Sequence, residues 1–213
     1  MCTDANIAPG CTRKSQFPII APEWYAVRWK RDARAVQQQF VGVVRNWGST
    51  AEERGRQFPC VALVTQPYAV LFRALDVEAP VAVMFRWLCQ LRVAPYSYDW
   101  IDNLGRRSPR RLTPGLDELE VGQRFMIFRL AHFEPGSSIT LTTDHVVFGR
   151  IAITYRVTPR GAETSRLVVK LVVASRPGPV GWLMARILPA ADLVMMRRQL
   201  LNLRKLAEQK EAP

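Results

Sequence analysis

The stretch Glu163-Thr164-Ser165-Arg166-Leu167-Val168-Val169-Lys170-Leu171-Val172-Val173-Ala174 decides the fold. Leu167, Val169, Leu171 and Val173 alternate with Arg166, Val168, Lys170 and Val172, which is the period of a β-strand. One face is wholly apolar and the other carries charge, so the pattern predicts a sheet with one covered face. The cover follows in the chain. From about Pro189 to Gln209 a helical period puts Leu193, Met196, Leu200, Leu203 and Ala207 in one stripe, with Arg197, Arg198, Arg204, Lys205 and Lys210 away from it. At ~1.5 Å per residue such a helix is about 30 Å long and spans several strands spaced ~4.8 Å apart.

Before the deciding strand, Phe125 to Phe133, Ser138 to Thr143 and Val147 to Val157 are rich in β-branched and aromatic residues, and Pro135-Gly136 and Pro159-Arg160-Gly161 punctuate them as turns. An antiparallel meander is expected. Further upstream, Val70 to Val77 reads as a strand and Pro80 opens a helix running to about Arg92, with Val81, Met84, Phe85, Leu88 and Leu91 on its apolar face. A shorter helix fits Tyr98 to Leu104, with Ser97 as N-cap, Asp99 meeting the positive end of the dipole and Gly105 as terminator. The order strand, two helices, several antiparallel strands and one long helix is an α+β arrangement.

Toward the N-terminus, Val36, Phe40, Val43 or Val44, and Trp47 recur at helical spacing. In Gly48-Ser49-Thr50-Ala51-Glu52-Glu53, either Ser49 with Glu52 or Thr50 with Glu53 has capping-box spacing, and Pro59 ends the turn that it starts. Residues 1–23 mix Pro, Thr, Asn and Gly without period and read as a disordered tail. The expected organisation is that tail, an N-terminal helical extension over residues 24–60, and one domain over residues 61–213.

The composition limits the function classes. The 213 residues are 48% hydrophobic, enough for an ordinary core, yet 30 Lys and Arg against 18 Asp and Glu leave a formal charge of +12. That balance raises nucleic acid, anionic lipid and acidic ligands as partners. Nucleic acid is not expected, because no helix-turn-helix, zinc-finger spacing or aromatic-interleaved basic strand is present. Arg106, Arg107, Arg110 and Arg111 form a loop cluster suited to phosphates, anionic headgroups or an acidic ligand tail. An anionic membrane surface, met by that loop and by Val180 to Ile187 with Trp182 as anchor, is a second use of the charge.

No apolar run reaches the ~20 residues that span a bilayer, and residues 1–10 lack the basic and apolar regions of a secretory signal. The four cysteines, Cys2, Cys11, Cys60 and Cys89, contain no C-x-x-C pair, and reduced thiols in a cytoplasm are the simplest reading. With His132 and His145 alone and no H-E-x-x-H spacing, neither a metal nor a cofactor is expected. No G-x-S-x-G elbow and no Gly-rich phosphate loop occurs.

Several segments match a family in order. Trp87-Leu88-Cys89-Gln90-Leu91 followed by Tyr96-Ser97-Tyr98-Asp99-Trp100-Ile101-Asp102-Asn103-Leu104 resembles the "WLxQ…YSYDWLENL" signature of bacterial proteins in the SRPBCC superfamily, the START-like, Bet v 1-like group of polyketide cyclases/dehydrases and lipid carriers. Asp76-Val77-Glu78-Ala79-Pro80, Leu119-Glu120-Val121-Gly122, and Met195 to Leu203 are similar to further segments of that family, as is Trp47 to Glu53 to its "WGAT-x-EE" stretch. Gln123, Cys60-Val61 and the Arg-Val-Ala-Pro of residues 92–95 depart from its usual residues. The resemblance implies a helix-grip fold: a curved antiparallel sheet wrapped around the long C-terminal helix, with an apolar cavity between them.

It also implies binding, and by extension transport, of a hydrophobic small molecule such as a lipid or polyketide-like compound. Trp87, Tyr96, Tyr98, Trp100, Phe128 and Tyr155 are expected as cavity wall, joined by Met126, Leu130, His132 and Met196. On the first meander strand Met126, Phe128, Leu130 and His132 share one face, and a slip of one residue exchanges it for the face of Phe125, Ile127, Arg129, Ala131 and Phe133. Two alternatives stay open. One is a cyclase or dehydratase in which Tyr98, His132 and Asp99 act as acid and base; the other is a peripheral membrane protein that moves lipid.

Overall fold

The computed structural model describes residues 41–65, 67–145, 149–174 and 178–209. The disordered tail expected over residues 1–23, and the start of the helix expected from Val36, lie outside the described residues. Residues 41–46 are helical (α1) and turn at Gly48 into α2, Ala51–Gly55. A 3-10 turn, Pro59–Leu63, leads to β1, Pro67–Val77. Then come α3, Val81–Cys89, a 3-10 turn, Gln90–Arg92, and the single helical turn α4, Asp99–Asp102. Strands β2, Arg124–Phe125; β3, Phe128–Glu134; β4, Ser138–His145; β5, Gly149–Pro159; and β6, Ser165–Ala174 precede α5, Gly178–Ala207.

The strands form one antiparallel sheet in the order β1-β6-β5-β4-β3-β2, with β1 closing on the last strand of the meander. The long helix and α3 cover its concave side. Leu167, Val169 and Val173 of β6 and Leu200 and Leu203 of α5 are wholly buried in that core, together with Met84 and Leu88 of α3. This is the α+β, helix-grip arrangement.

The expectation of one covered face is corrected. Val168 and Val172 on the opposite face of β6 are also buried, in a second cluster with Phe58, Cys60 and Phe72. Residues 48–64 supply that cover on the convex side, while Trp47 packs against the inner core. Asn46 and Trp47 bridge to Phe72 and Arg73 on β1, and the Cys60 amide donates to Thr154 Oγ1. Of the two capping boxes open in the sequence, the Thr50/Glu53 pair forms. Glu53 also receives Arg166 Nε at 2.8 Å, so the Arg166 charge of β6 is buried in an ion pair rather than solvated, while the Lys170 ammonium lies over the Phe58 and Phe72 rings.

Three expectations about element limits change. The strand read as Phe125 to Phe133 is two strands, because Met126 takes the left-handed conformation (φ 53°) and Phe125 pairs with Phe128 across a tight turn. The helix expected from Pro189 begins eleven residues earlier at Gly178, and Pro189 lies inside it. Proline suits a first turn, which explains the expectation, but it can also stand inside a helix at the loss of one hydrogen bond. The helix expected over Tyr98 to Leu104 is shorter, and Tyr98, not Ser97, holds its N-cap position without a side-chain cap.

Candidate functional site

The site is built from the segment that follows α3. Gln90 fixes the far end of this segment, donating to the Thr113 carbonyl and accepting from the Thr113 amide. Arg92 Nη1 donates to the carbonyls of Gly115, Leu116 and Glu118. From α5, Gln199 Nε2 donates to the Pro95 carbonyl at 2.6 Å and Asn202 Nδ2 to the Tyr96 carbonyl at 2.8 Å. These two bonds hold Tyr96 in the left-handed region (φ 55°), a conformation unfavourable to a bulky residue and concentrated at functional positions.

Between this segment and the C-terminal half of α5 lies a cleft of about 480 Å³, bordered by Tyr96, Tyr98, Asp99, Trp100, Ser108 and Pro109 on one side. Arg198, Asn202, Lys205 and Leu206 border it from the helix, and Arg110 from the loop. The Arg198 guanidinium lies 5.9 Å from the Tyr98 ring centroid. Asp99 is occupied: its carboxylate accepts from the Ser108 amide at 2.9 Å and from the Ser108 hydroxyl at 2.5 Å. It therefore ties the loop to α4 instead of standing free in the cleft. Arg110, Arg198 and Lys205 have no carboxylate partner among the described residues, so the cleft is cationic.

Tyr96 is 2% exposed and packs edge-on against Trp87, with ring centroids 6.1 Å apart. Its hydroxyl is buried and has no hydrogen-bond partner among the described residues. Burial, and then the Asp99 charge, push the phenol up to about 12, so it stays protonated at neutral pH and remains a donor.

A second polar set lies inside the fold. Arg73, on the inward face of β1, is 1% exposed, and its Nη2 meets Asp192 Oδ2 of α5 at 2.7 Å. Its Nη1 also donates to the carbonyls of Arg45 and Phe72 and its Nη2 to that of Pro189, while the buried Nε has no hydrogen-bond partner among the described residues. Burial raises the Asp192 carboxyl to about 6, against the pull of Arg73. Nearby, the Tyr155 hydroxyl donates to Gln199 Oε1 at 2.9 Å and stands 3.7 Å from the Met196 sulfur. Burial, reinforced by Asp192, raises the Tyr155 phenol as well.

The residues expected at the site thus fall into separate groups. Tyr96, Tyr98, Asp99 and Trp100 border the cleft, with Trp100 largely exposed. Trp87, Leu130, Tyr155 and Met196 are buried in the core, and Phe128 packs against it. Met126 sits in the β2–β3 turn. His132 is corrected: the register shifts between Leu130 and His132, so Leu130 pairs with inward Leu141 while His132 pairs with Thr140 on the convex side. It is exposed there, away from the cleft, and the set Tyr98, His132 and Asp99 is not assembled. Of the four loop arginines only Arg110 borders the cleft. Among the described residues no three His, Cys, Asp or Glu side chains converge as a metal site, and no helix is long and apolar enough to cross a membrane.

Arg73, Ser108, Gln199, Asn202 and the pairing of Asp192 escaped the reading of the sequence. A signal for Arg73 existed, since Ala69, Leu71, Leu75 and Val77 make its face of β1 otherwise apolar.

Comparison with known proteins finds no matching family model and no matching curated protein. Among solved structures, the chain is similar to an aromatase/cyclase from a Streptomyces species, at 14% identity and a TM-score of 0.46 over 66% of this chain and 93% of the other. It is similar to a Thermus thermophilus protein at 16% identity and a TM-score of 0.45, covering 67% of this chain and 99% of that one. A third is norcoclaurine synthase from Thalictrum flavum, solved with dopamine and hydroxybenzaldehyde, at 10% identity and a TM-score of 0.43 over 75% and 96% of the two chains.

Proposed function

We propose that the protein binds a hydrophobic small molecule that carries an acidic group, seated in the cleft between the 96–110 segment and α5. The single observation that carries this reading is the lining. Tyr98, Trp100, Pro109 and Leu206 offer apolar surface, and Arg110, Arg198 and Lys205 offer positive charge with no committed carboxylate. A volume of about 480 Å³ suits a compact ligand. Charge-assisted bonds to a carboxylate or phosphate then fix its orientation. Lipids with one free acid and polyketide-like acids both have this chemistry.

The acid–base alternative has less support. Asp99 is engaged by Ser108 and His132 stands on the other side of the sheet, which leaves Tyr98 without a partner base in the cleft.

The test is titration of the purified protein with a fluorescent fatty acid and with the corresponding alcohol. The acid should bind more tightly, and Arg198→Ala combined with Lys205→Ala should remove the difference. Equal affinity for acid and alcohol in the unmodified protein would overturn the reading.

A further inference from the structure

We propose that the solvent-facing side of α5 is a docking surface for an anionic lipid bilayer. Along this helix Leu183, Ile187 and Val194 are 45%, 48% and 54% exposed, and Ala190 between them is exposed too. Steps of four, three and four residues keep all four on one line down the helix, because each residue turns ~100°. The line is about 16 Å long at ~1.5 Å per residue. Trp182 flanks it at 59% exposure, with the Arg186 guanidinium 4.1 Å above its ring.

The same line continues as charge. Three residues beyond Val194 comes Arg197, then Arg204, with the cleft cations Arg198 and Lys205 beside them. The acidic residue that α5 contains is Asp192, and its carboxylate is turned inward to Arg73. From Gly178 to Ala207 the outward side of the helix therefore carries aliphatic and indole groups followed by cations, with no carboxylate. The following Glu208 stands 3.8 Å from Arg204 and offsets one of these charges.

This arrangement fits a bilayer interface. Exposed Leu, Ile and Val gain by entering the boundary between headgroups and acyl chains, indole prefers that depth, and guanidinium groups meet lipid phosphates. Two copies of the chain fit worse. A symmetric pair meeting through this helix would bring two carboxylate-free cationic surfaces together, with nothing to offset their repulsion. The chain's formal charge of +12 acts in the same sense by drawing it toward an anionic surface.

The test is co-sedimentation of the full chain with vesicles of phosphatidylcholine, with and without phosphatidylglycerol, at low and high salt. Binding should require phosphatidylglycerol and fall as salt rises. Ile187→Asp should weaken it by about tenfold or more, the change expected for one aliphatic side chain kept in water. Because Ile187 is half exposed, this variant should melt at the same temperature as the unmodified protein, and Arg186→Glu with Arg197→Glu, which reverses two charges and removes the cations from the Trp182 and Trp47 rings, should reproduce the loss. Binding indifferent to phosphatidylglycerol, or unaltered in both variants, would overturn the proposal. So would a concentration-dependent dimer that Ile187→Asp dissociates, since the apolar stripe would then serve self-association.

Discussion

Arg73 of β1 and Asp192 of α5 meet at 2.7 Å on the inside of the fold, each less than a tenth exposed. The pair joins the sheet to the long helix at the turn that contains Pro189, whose carbonyl also accepts from Arg73. Breaking it from one side leaves a buried charge without its counter-ion. Arg73→Ala should cost about 3–5 kcal/mol in urea unfolding, whereas Arg73→Met with Asp192→Leu together should cost far less, because both desolvated charges are gone.

The same pair gives a pH dependence. The Asp192 carboxyl titrates at about 6 in the folded chain against an ordinary 3.8, so between these values the folded state holds more protons than the unfolded one. Its contribution to stability is then present when Asp192 is protonated and is lost as pH rises through about 6. Arg73 from β1 and Tyr155 from β5 are the groups that bear on it. Urea unfolding from pH 4 to 7.5 should show this slope in the unmodified protein relative to Asp192→Asn; parallel curves would contradict it.

On the convex side the sign is opposite. Burial pushes the Glu53 carboxyl up, but the Arg166 guanidinium and the Thr50 amide outweigh that and hold it below its ordinary 4.5. Stability from Glu53 is present above the ordinary carboxylate range and is lost as pH falls below it. Glu53→Gln should flatten this acid-side loss. It should also speed amide hydrogen exchange in residues 46–64, because the partner Arg166 is left buried with a weaker acceptor.

Gly48 is the tightest point of that cover. Its φ is +74°, and a Cβ there would come 2.0 Å from the Ala74 carbonyl oxygen. Gly48→Ala should destabilise by more than ~1 kcal/mol, read as a lower melting temperature, since backbone has to move at both positions.

Tyr96→Phe removes a buried hydroxyl that has no partner among the described residues. Stability should hold or rise, by up to ~1–3 kcal/mol, the desolvation cost of an unsatisfied group. Affinity for the acidic ligand should fall if the ligand uses that donor. Thermal melting and the fatty-acid titration together separate the two effects.

The architecture was legible because its signals are local and repeated. The alternation Leu167, Val169, Leu171, Val173, the stripe through Met196, Leu200 and Leu203, and the Thr50 to Glu53 spacing each lie within one element, and each is realised. What stayed hidden depends on single residues or on distant pairs. One irregularity between Leu130 and His132 turns His132 to the other side without changing composition. Arg73 and Asp192 are 119 residues apart, and neither alone says that the other will neutralise it. The left-handed conformations of Tyr96 and Met126 have no glycine to announce them. Three of the ten expected wall residues, Tyr96, Tyr98 and Trp100, do border a cleft, as does Asp99, because those residues are adjacent in the chain.

The segment from Gly48 to Val64 makes the protein three layers deep where two were expected. A fragment begun at the first sheet strand would expose Phe72, Val168 and Val172 on a flat surface and would be prone to aggregate. A shortened version of this chain should therefore keep residues 48–64, which act as its built-in solubiliser.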